Sequence, residues 1–133
     1  PWEGGIVVDA VLGYLGGYVP DAPAESFSFR PHLPNNWPTL ALRGLRLGEG
    51  RLDLDVARLP DGGARVGVTS RMTTPTTFHV RWDGPVGQVD VDALPVPEVD
   101  LQRFEAFGQP SVSTPTVTLA AEQRVEIVFH PAP

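Results

Sequence analysis

Cysteine and lysine are absent from this 133-residue sequence, and methionine occurs once. Zero cysteines exclude disulfides and thiolate metal sites. The same absence leaves the cellular compartment undetermined, and of the possible compartments we favour the cytoplasm. All ten basic residues are arginine, and no cluster of them suggests a charged ligand.

Long apolar runs and basic patches are also missing. No stretch reaches the roughly 20 apolar residues that a membrane span requires. The formal net charge is −6, so the attraction that draws proteins to phosphate backbones or anionic membranes is lacking. The sequence therefore predicts one soluble domain whose partners include neither nucleic acid nor membrane.

Familiar catalytic fingerprints are lacking as well, since no GxSxG sequence, P-loop or dinucleotide signature occurs. His32, His79 and His130 fall on different predicted elements without metal-ligand spacing, and we interpret them as structural residues. Asp53 and Asp55 alternate in "LDLDV", as solvent-facing carboxylates on a strand do; a calcium or acid/base role is the lesser alternative. No cofactor or metal is expected.

What the sequence does contain at its start is an apolar segment. Residues 4–18, "GGIVVDAVLGYLGGY", place apolar side chains nearly all round a helical wheel, which predicts a buried helix. Gly16 and Gly17 are typical of a helix end, and Pro20 follows. The chain opens on Pro1 without an initiator methionine, so we expect a domain excised from a longer protein.

From residue 26 onward the apolar period becomes two, which indicates strands. A slip at Gly44 predicts a bulge, and two Gly-rich turns predict a three-stranded meander. About eight short strands predict an antiparallel β-sandwich after the helix. Residues 93–110 are predicted as an extended connection with one helical turn at 101–107. The predicted core residues are Leu52, Leu54, Val56, Val66, Val68, Phe78, Val80, Val125, Ile127 and Phe129.

The stretch "FSFRPHLPNNWPTLALRGLRLGEGRLDLDV" resembles the junction between the (α/α)6 barrel and the C-terminal domain of six-hairpin glycosidases and glycoside phosphorylases. In those enzymes a strand leads to a Pro-(His)-Leu-Pro turn and then to a strand pair, here with Gly50, Leu52 and Leu54. The sequence at 31–34, "PHLP", is most similar to the maltose and trehalose phosphorylase group. Upstream, "WEGGIVVDAVLGYLGG" is similar to the last inner barrel helix of trehalase-like and rhamnosidase-like members.

This resemblance implies two parts: residues 1–24 as the last helix of a helical barrel plus a linker, and residues 25–133 as a C-terminal β-sandwich. The implied function is a non-catalytic domain that stabilises the catalytic barrel of the same protein, which in turn binds the carbohydrate. The catalytic carboxylates of such barrels lie upstream, so the chain alone is expected to be inactive. Phosphorylases hold phosphate with a histidine at this helix start, where this chain has "WEGG", and hydrolysis is therefore favoured.

Two groups of site residues follow from the resemblance. Trp2 and Glu3 are expected beside the substrate in the intact enzyme, where Trp2 would stack on a sugar and the helix start would favour a polar ligand. The alternative is that Trp2 packs on the sandwich and Glu3 complements the helix dipole. The second group forms a stiff interdomain elbow, because proline fixes φ and restricts the residue before it. This elbow comprises Pro31, His32, Pro34, Trp37 and Pro38.

Two other functions stay open: an independent carbohydrate-binding module, and a structural or adhesive β domain. A free-standing module has no need for an apolar helix at its start. A ladder of exposed aromatic side chains on one sheet face would favour the binding module. The sugar and its linkage are not encoded in this segment.

Overall fold

A computed structural model describes residues 17–21, 23–34 and 36–133. Within these ranges the chain forms twelve strands, and its one helical element is a turn of 3-10 helix at Glu98–Asp100. The apolar helix predicted over 4–18 lies outside the described residues except for its last two positions. Of these, Tyr18 begins the first strand, so the helix prediction is wrong at that residue.

Six strands make up sheet 1, in the order β1-β2-β6-β10-β9, with β11 also pairing with β6. All its pairs are antiparallel except β2 with β6. Its strands are β1 (Tyr18–Asp21), β2 (Ser26–Phe29), β6 (Thr76–Asp83), β9 (Gln102–Ala106), β10 (Gln109–Ser113) and β11 (Val117–Leu119).

The other six strands form sheet 2, in the order β3-β4-β5-β12-β7-β8, and it is antiparallel throughout. The meander predicted from the turns is β3-β4-β5, which confirms that part of the prediction. Its strands are β3 (Thr39–Leu47), β4 (Gly50–Arg58), β5 (Ala64–Ser70), β7 (Val86–Val91), β8 (Leu94–Pro95) and β12 (Arg124–Pro131).

The two sheets share one apolar core, as a β-sandwich requires. All ten predicted core side chains are buried in it, because their alternation sends every second side chain inward. Trp82 of sheet 1 stacks on Phe129 of sheet 2 with ring centroids 6.0 Å apart. At the other end of the sheets, the Tyr18 hydroxyl donates to the Arg46 carbonyl at 2.9 Å. Burial raises the pKa of Tyr18 to about 12.

Two details of the predicted strands are corrected by the structure. The helical turn expected at 101–107 is instead strand β9 followed by a tight turn at Phe107 and Gly108, because β9 pairs with β10 along its whole length. Asp53, expected in solvent, is buried. The predicted bulge at Gly44 is confirmed, since the β3–β4 register shifts between Leu42 and Leu45, and that shift brings Gly44 to Asp53.

The sandwich also begins earlier than residue 25, where the sequence analysis placed its start. Strand β1 pairs with β2 through four residue pairs, from Tyr18 with Phe29 to Asp21 with Ser26. The short strands β1, β8 and β9 account for much of the difference between twelve strands and the expected eight.

Candidate interdomain surface

The crossover, residues 30–38, leaves β2 of sheet 1 and enters β3 of sheet 2. Prolines at three of its nine positions lack an N–H donor and have a fixed φ angle, which disfavours its continuation as a strand of either sheet. Pro31 and Leu33 are buried, whereas His32, Trp37 and Pro38 are exposed. The crossover therefore anchors two side chains in the fold and presents several to its surroundings, Trp37 among them.

Arg30 and Asp83 brace the beginning of the crossover. The guanidinium of Arg30 donates to both carboxylate oxygens of Asp83, with Nη2 and Oδ1 2.8 Å apart and Nε and Oδ2 3.2 Å apart. Bidentate geometry of this kind fixes orientation as well as adding electrostatic attraction. His32 lies on the same carboxylate, with Nδ1 3.5 Å from Oδ2. Strand β6, which carries Asp83, thereby holds the chain where it leaves sheet 1.

Arg58, the last residue of β4, braces the rest of the crossover. Its guanidinium donates to the carbonyl oxygens of Leu33 and Pro34, and its backbone N–H donates to the carbonyl of Pro38 at 2.9 Å. Within the crossover the Trp37 N–H donates to the Pro34 carbonyl at 3.0 Å, which closes a turn. Residues of both sheets thus contact the described part of this segment at its two ends and at Leu33 and Pro34.

The five predicted elbow residues are therefore brought together in one braced segment. That segment joins the two sheets of the sandwich, whereas the sequence analysis placed it between a helical domain and the sandwich. Trp2 and Glu3 lie outside the described residues. Sequence reasoning also missed Arg30, Asp83 and Arg58, since nothing in their local sequence says which distant strand they will meet.

Asp53 forms a buried ionic cluster at the β3 bulge. Its carboxylate accepts a hydrogen bond from the Gly44 N–H at 2.7 Å and another from Arg71 Nε at 2.9 Å, and Arg43 lies 4.0 Å away. Burial opposes ionisation, but these donors outweigh it and hold the pKa of Asp53 below its usual range. A buried carboxylate that accepts a hydrogen bond on each oxygen, from Gly44 and from Arg71, has a structural role, and the expected solvent-facing position was wrong. The sequence signal for this cluster was the glycine at the predicted bulge, Gly44, with an aspartate, Asp53, on the neighbouring strand.

A second polar cluster covers the outer face of sheet 2. His130 Nε2 lies 2.7 Å from Asp90 Oδ2, and Gln88 donates to the other oxygen at 2.8 Å. Hydrogen bonds from Gln88 and His130 hold the pKa of Asp90 below its usual range. Nearby, the Arg124 guanidinium is bound to Asp55 at 2.9 Å and to Glu126 at 3.1 Å.

A shallow groove of about 570 Å³ runs between these two sets. Their carboxylates are paired with arginine or histidine, as in strand-to-strand ion pairs. The third histidine, His79, is exposed on β6, on the outward face that the sequence predicted. Across the described ranges, no three His, Asp or Glu side chains come together in a way that could hold a metal ion.

Large exposed aromatic side chains occur at three separate places among the residues with described positions. Trp37 is 40% exposed in the crossover, Phe104 is 38% exposed on β9, and Phe107 is fully exposed at the β9–β10 turn. The guanidinium of Arg81 covers the Phe104 ring at 3.9 Å. These three residues do not form a ladder along one sheet face, whereas Trp82 is buried in the core.

No protein-family model matches this chain, and no curated protein is significantly similar to it in sequence. The glycosidase resemblance accordingly depends on the motifs in residues 1 to about 58. In the part of the chain that the structure describes, no helix has the length and apolar character of a membrane span.

Proposed function

We propose that this chain is the non-catalytic C-terminal β-sandwich of a glycoside hydrolase, and that it stabilises an (α/α)6 catalytic barrel in the same protein. The observation that carries the proposal is the braced crossover, which presents an exposed tryptophan. It coincides with the residues that resemble the barrel-to-sandwich junction. Carbohydrate would be bound by the barrel, and the sandwich would contribute rigidity.

The crossover has the physical properties of a docking element. Its backbone is held by Arg58 and by the Arg30–Asp83 pair, so little conformational entropy would be lost when a partner covers it. Tryptophan is enriched among the residues that dominate interface energies, because a large apolar ring is buried together with one N–H donor. Trp37, 40% exposed on this rigid support, is the side chain we expect to be buried against the barrel.

The paired charges favour a supporting role over a catalytic one. A glycosidase needs two carboxyl groups facing one scissile bond, one of them protonated. Here hydrogen bonds hold the pKa values of Asp53 and Asp90 low, so both carboxyl groups are ionised near neutral pH. An ionised and fully paired carboxylate is neither a general acid nor a free nucleophile. The carbohydrate-binding alternative has less support, since Trp37 in the crossover, Phe104 on β9 and Phe107 in the following turn do not line up along one sheet face.

Two measurements test the proposal. The 133-residue chain should give no turnover on aryl glycosides or natural disaccharides, while the longer polypeptide that contains the proposed barrel should hydrolyse one of them. In that polypeptide, Trp37→Ala should lower the melting temperature by more than it does in the 133-residue chain, because only the longer protein buries the ring against a barrel. Phe107→Ala, which removes an aromatic side chain exposed elsewhere, is the matched control.

Three results would contradict the proposal. The first is turnover by the 133-residue chain that disappears on substitution of Asp53 or Asp55. The second is an encoded polypeptide without several hundred residues of paired helices before the sandwich. The third is an equal effect of Trp37→Ala in the two proteins, which would leave the tryptophan with a role in the sandwich alone.

A further inference from the structure

Strand β9, Gln102–Ala106, is exposed at every residue. Within the described ranges its one strand neighbour is β10, and the pairing between them has no bulge. An edge of this kind presents unpaired backbone N–H and C=O groups and can accept another strand. Proline, which natural proteins use to block such edges, does not occur in its sequence, "QRFEA".

The register of the hairpin determines which backbone groups face outward. The turn contains two residues, Phe107 and Gly108, so Ala106 and Gln109 form the first hydrogen-bonded pair. Hydrogen-bonded and non-bonded pairs alternate in an antiparallel ladder, so Phe104 is bonded to β10 and its two neighbours are not. Pro110 agrees with this pattern, because its carbonyl accepts from Gly84 on the side away from β9.

The outward groups therefore belong to Arg103 and Glu105. No described residue makes a backbone hydrogen bond to either of them. Their side chains share one face of β9, since they are two positions apart. The Arg103 guanidinium is oriented by Glu98 and by the Val86 carbonyl, 2.7 Å from Nη1, whereas no ion pair joins Glu105 to any part of the chain that the structure describes.

This strand is complementary to itself. If two copies of β9 meet antiparallel about Phe104, Arg103 of each copy lies opposite Glu105 of the other. The backbone N–H and C=O groups of Arg103 and Glu105 point away from β10. Each Arg103–Glu105 pair between the copies therefore forms two backbone hydrogen bonds, which makes four in all. Opposite charges directly across a strand pair are stabilising. A shift by two residues would break both pairs and would place Arg103 opposite Arg103, or Glu105 opposite Glu105, of the other copy, and like charges directly opposite are destabilising.

We propose that β9 is a homodimerisation edge, and that its partner is a second copy of this chain paired antiparallel about Phe104. The two Phe104 rings then form a non-hydrogen-bonded pair, in which side chains approach most closely. Each ring already carries an Arg81 guanidinium on sheet 1. The inference is independent of the proposed glycosidase function.

The exposed turn agrees with the same register. One residue beyond each end of the strand pair, Phe107 of one copy comes alongside Leu101 of the other. Phe107 is fully exposed at φ +54°, a conformation that costs a non-glycine residue free energy. Leu101 is half-buried and packs on the core, while its neighbour Val99 is exposed. The dimer thus covers apolar side chains that the single chain leaves in water.

Sedimentation equilibrium of the 133-residue chain tests this proposal directly. We expect a reversible monomer–dimer equilibrium between about 10 μM and about 1 mM, because one strand pair and two aromatic contacts make a small interface. Physiological salt should be present to screen repulsion between copies of net charge −6.

Two substitutions at one position separate backbone pairing from charge. Glu105→Pro removes an outward N–H that β10 does not use, and should raise the dimer dissociation constant at least tenfold. Glu105→Ala keeps that N–H and loses the carboxylate alone, so its effect should be smaller. Circular dichroism should show the same folded sandwich in both variants.

A charge exchange tests whether the residues at 103 and 105 of the two copies face each other. Arg103→Glu places two glutamates on each edge and Glu105→Arg places two arginines, so each variant alone should dimerise at least tenfold more weakly than the parent chain. Mixed in equal amounts they should form a heterodimer, since every facing pair is then of opposite charge. Should Arg103→Glu fail to fold, Glu105→Pro and Glu105→Arg still decide the outcome.

The proposal is overturned by a chain that stays monomeric up to about 1 mM, which would mean that the edge is left open or covered by another molecule. It is equally overturned by a dimer that Glu105→Pro does not weaken, because that dimer would use a different surface. Variants that fold but form no heterodimer when mixed would exclude this register.

Discussion

Two of the hairpins with two-residue turns, β3–β4 and β9–β10, differ in almost every other respect. The β3–β4 hairpin turns at Gly48 and Glu49, and it buries side chains from both strands, among them Leu47 and Leu54. The β9–β10 hairpin turns at Phe107 and Gly108, and β9 buries none of its five residues. One hairpin is part of the core, whereas the other projects a strand beyond it.

The two turns also differ in the residue that occupies their first position. Gly48 adopts φ +61° in the first turn, a conformation open to glycine without a steric penalty. The corresponding position of the second turn, at φ +54°, is occupied by phenylalanine. A bulky residue in a left-handed conformation with its ring in solvent does not serve the stability of the single chain. The β3–β4 hairpin thus contributes to the core of its own chain, and the proposed dimer would give the exposed β9–β10 hairpin a partner.

The largest loss of stability is expected from a substitution in the β3–β4 hairpin, which contributes to the core. Leu54→Ala should lower the free energy of unfolding by about 2–5 kcal/mol, because it leaves a cavity where a fully buried side chain was packed. Phe104→Ala in the other hairpin should cost about 1 kcal/mol or less, mainly the contact with Arg81. Urea denaturation measured on dilute protein compares the two. Equal losses would mean that β9 is more deeply integrated than its exposure indicates.

A smaller effect is expected from the ionic contacts of the two hairpins. Asp53→Ala should cost about 1–3 kcal/mol at pH 7, because it leaves Gly44 and Arg71 without their acceptor. Glu98→Ala, which removes the exposed partner of Arg103 on β9, should change stability less. Both variants can be followed by thermal melts monitored with circular dichroism.

The pH dependence of the Asp53 contribution has a defined sign. Its folded pKa lies below the ordinary value of 3.8, so folding favours the ionised form. The stabilisation is therefore complete above that ordinary value and is lost as the pH falls through the folded pKa. The difference between the parent chain and Asp53→Ala should shrink only below about pH 4. A difference that already disappears near pH 6 would contradict the assigned role.

The smallest effect should be a gain in stability. Phe107→Asn should raise the free energy of unfolding by about 0.5 kcal/mol, because asparagine followed by glycine is favoured in this turn. Gly48→Ala, the converse change in the β3–β4 turn, should lower it by about 1 kcal/mol. Measured at low micromolar concentration, where chains are monomeric, these two variants should shift the urea midpoint in opposite directions. A loss from Phe107→Asn would mean that the ring stabilises its own chain.

The difference between the hairpins also explains which parts of the fold could be predicted. The β3–β4 pair could be predicted with its bulge, because Leu52, Leu54 and Val56 alternate and a glycine-rich turn precedes them. The β9 strand could not, since a strand with no buried face has no apolar period, and "LQRFEAF" has apolar spacing that equally fits a helical turn. The interdomain role of the elbow residues stays a prediction from the resemblance, and the contacts of that segment with Arg58 and Asp83 could not be predicted from the sequence.

By itself, the sequence of this protein determined the alternation that buries one face of each core strand, the tight turns and the absence of disulfides. These features depend on spacing between neighbours, which the sequence states directly. The tertiary structure alone decided that Asp53 is buried against Gly44 and Arg71, that the crossover links the two sheets, and that β9 is the last strand of sheet 1 among the described residues. Each of these depends on which distant strands become neighbours, and that follows from packing of the whole chain.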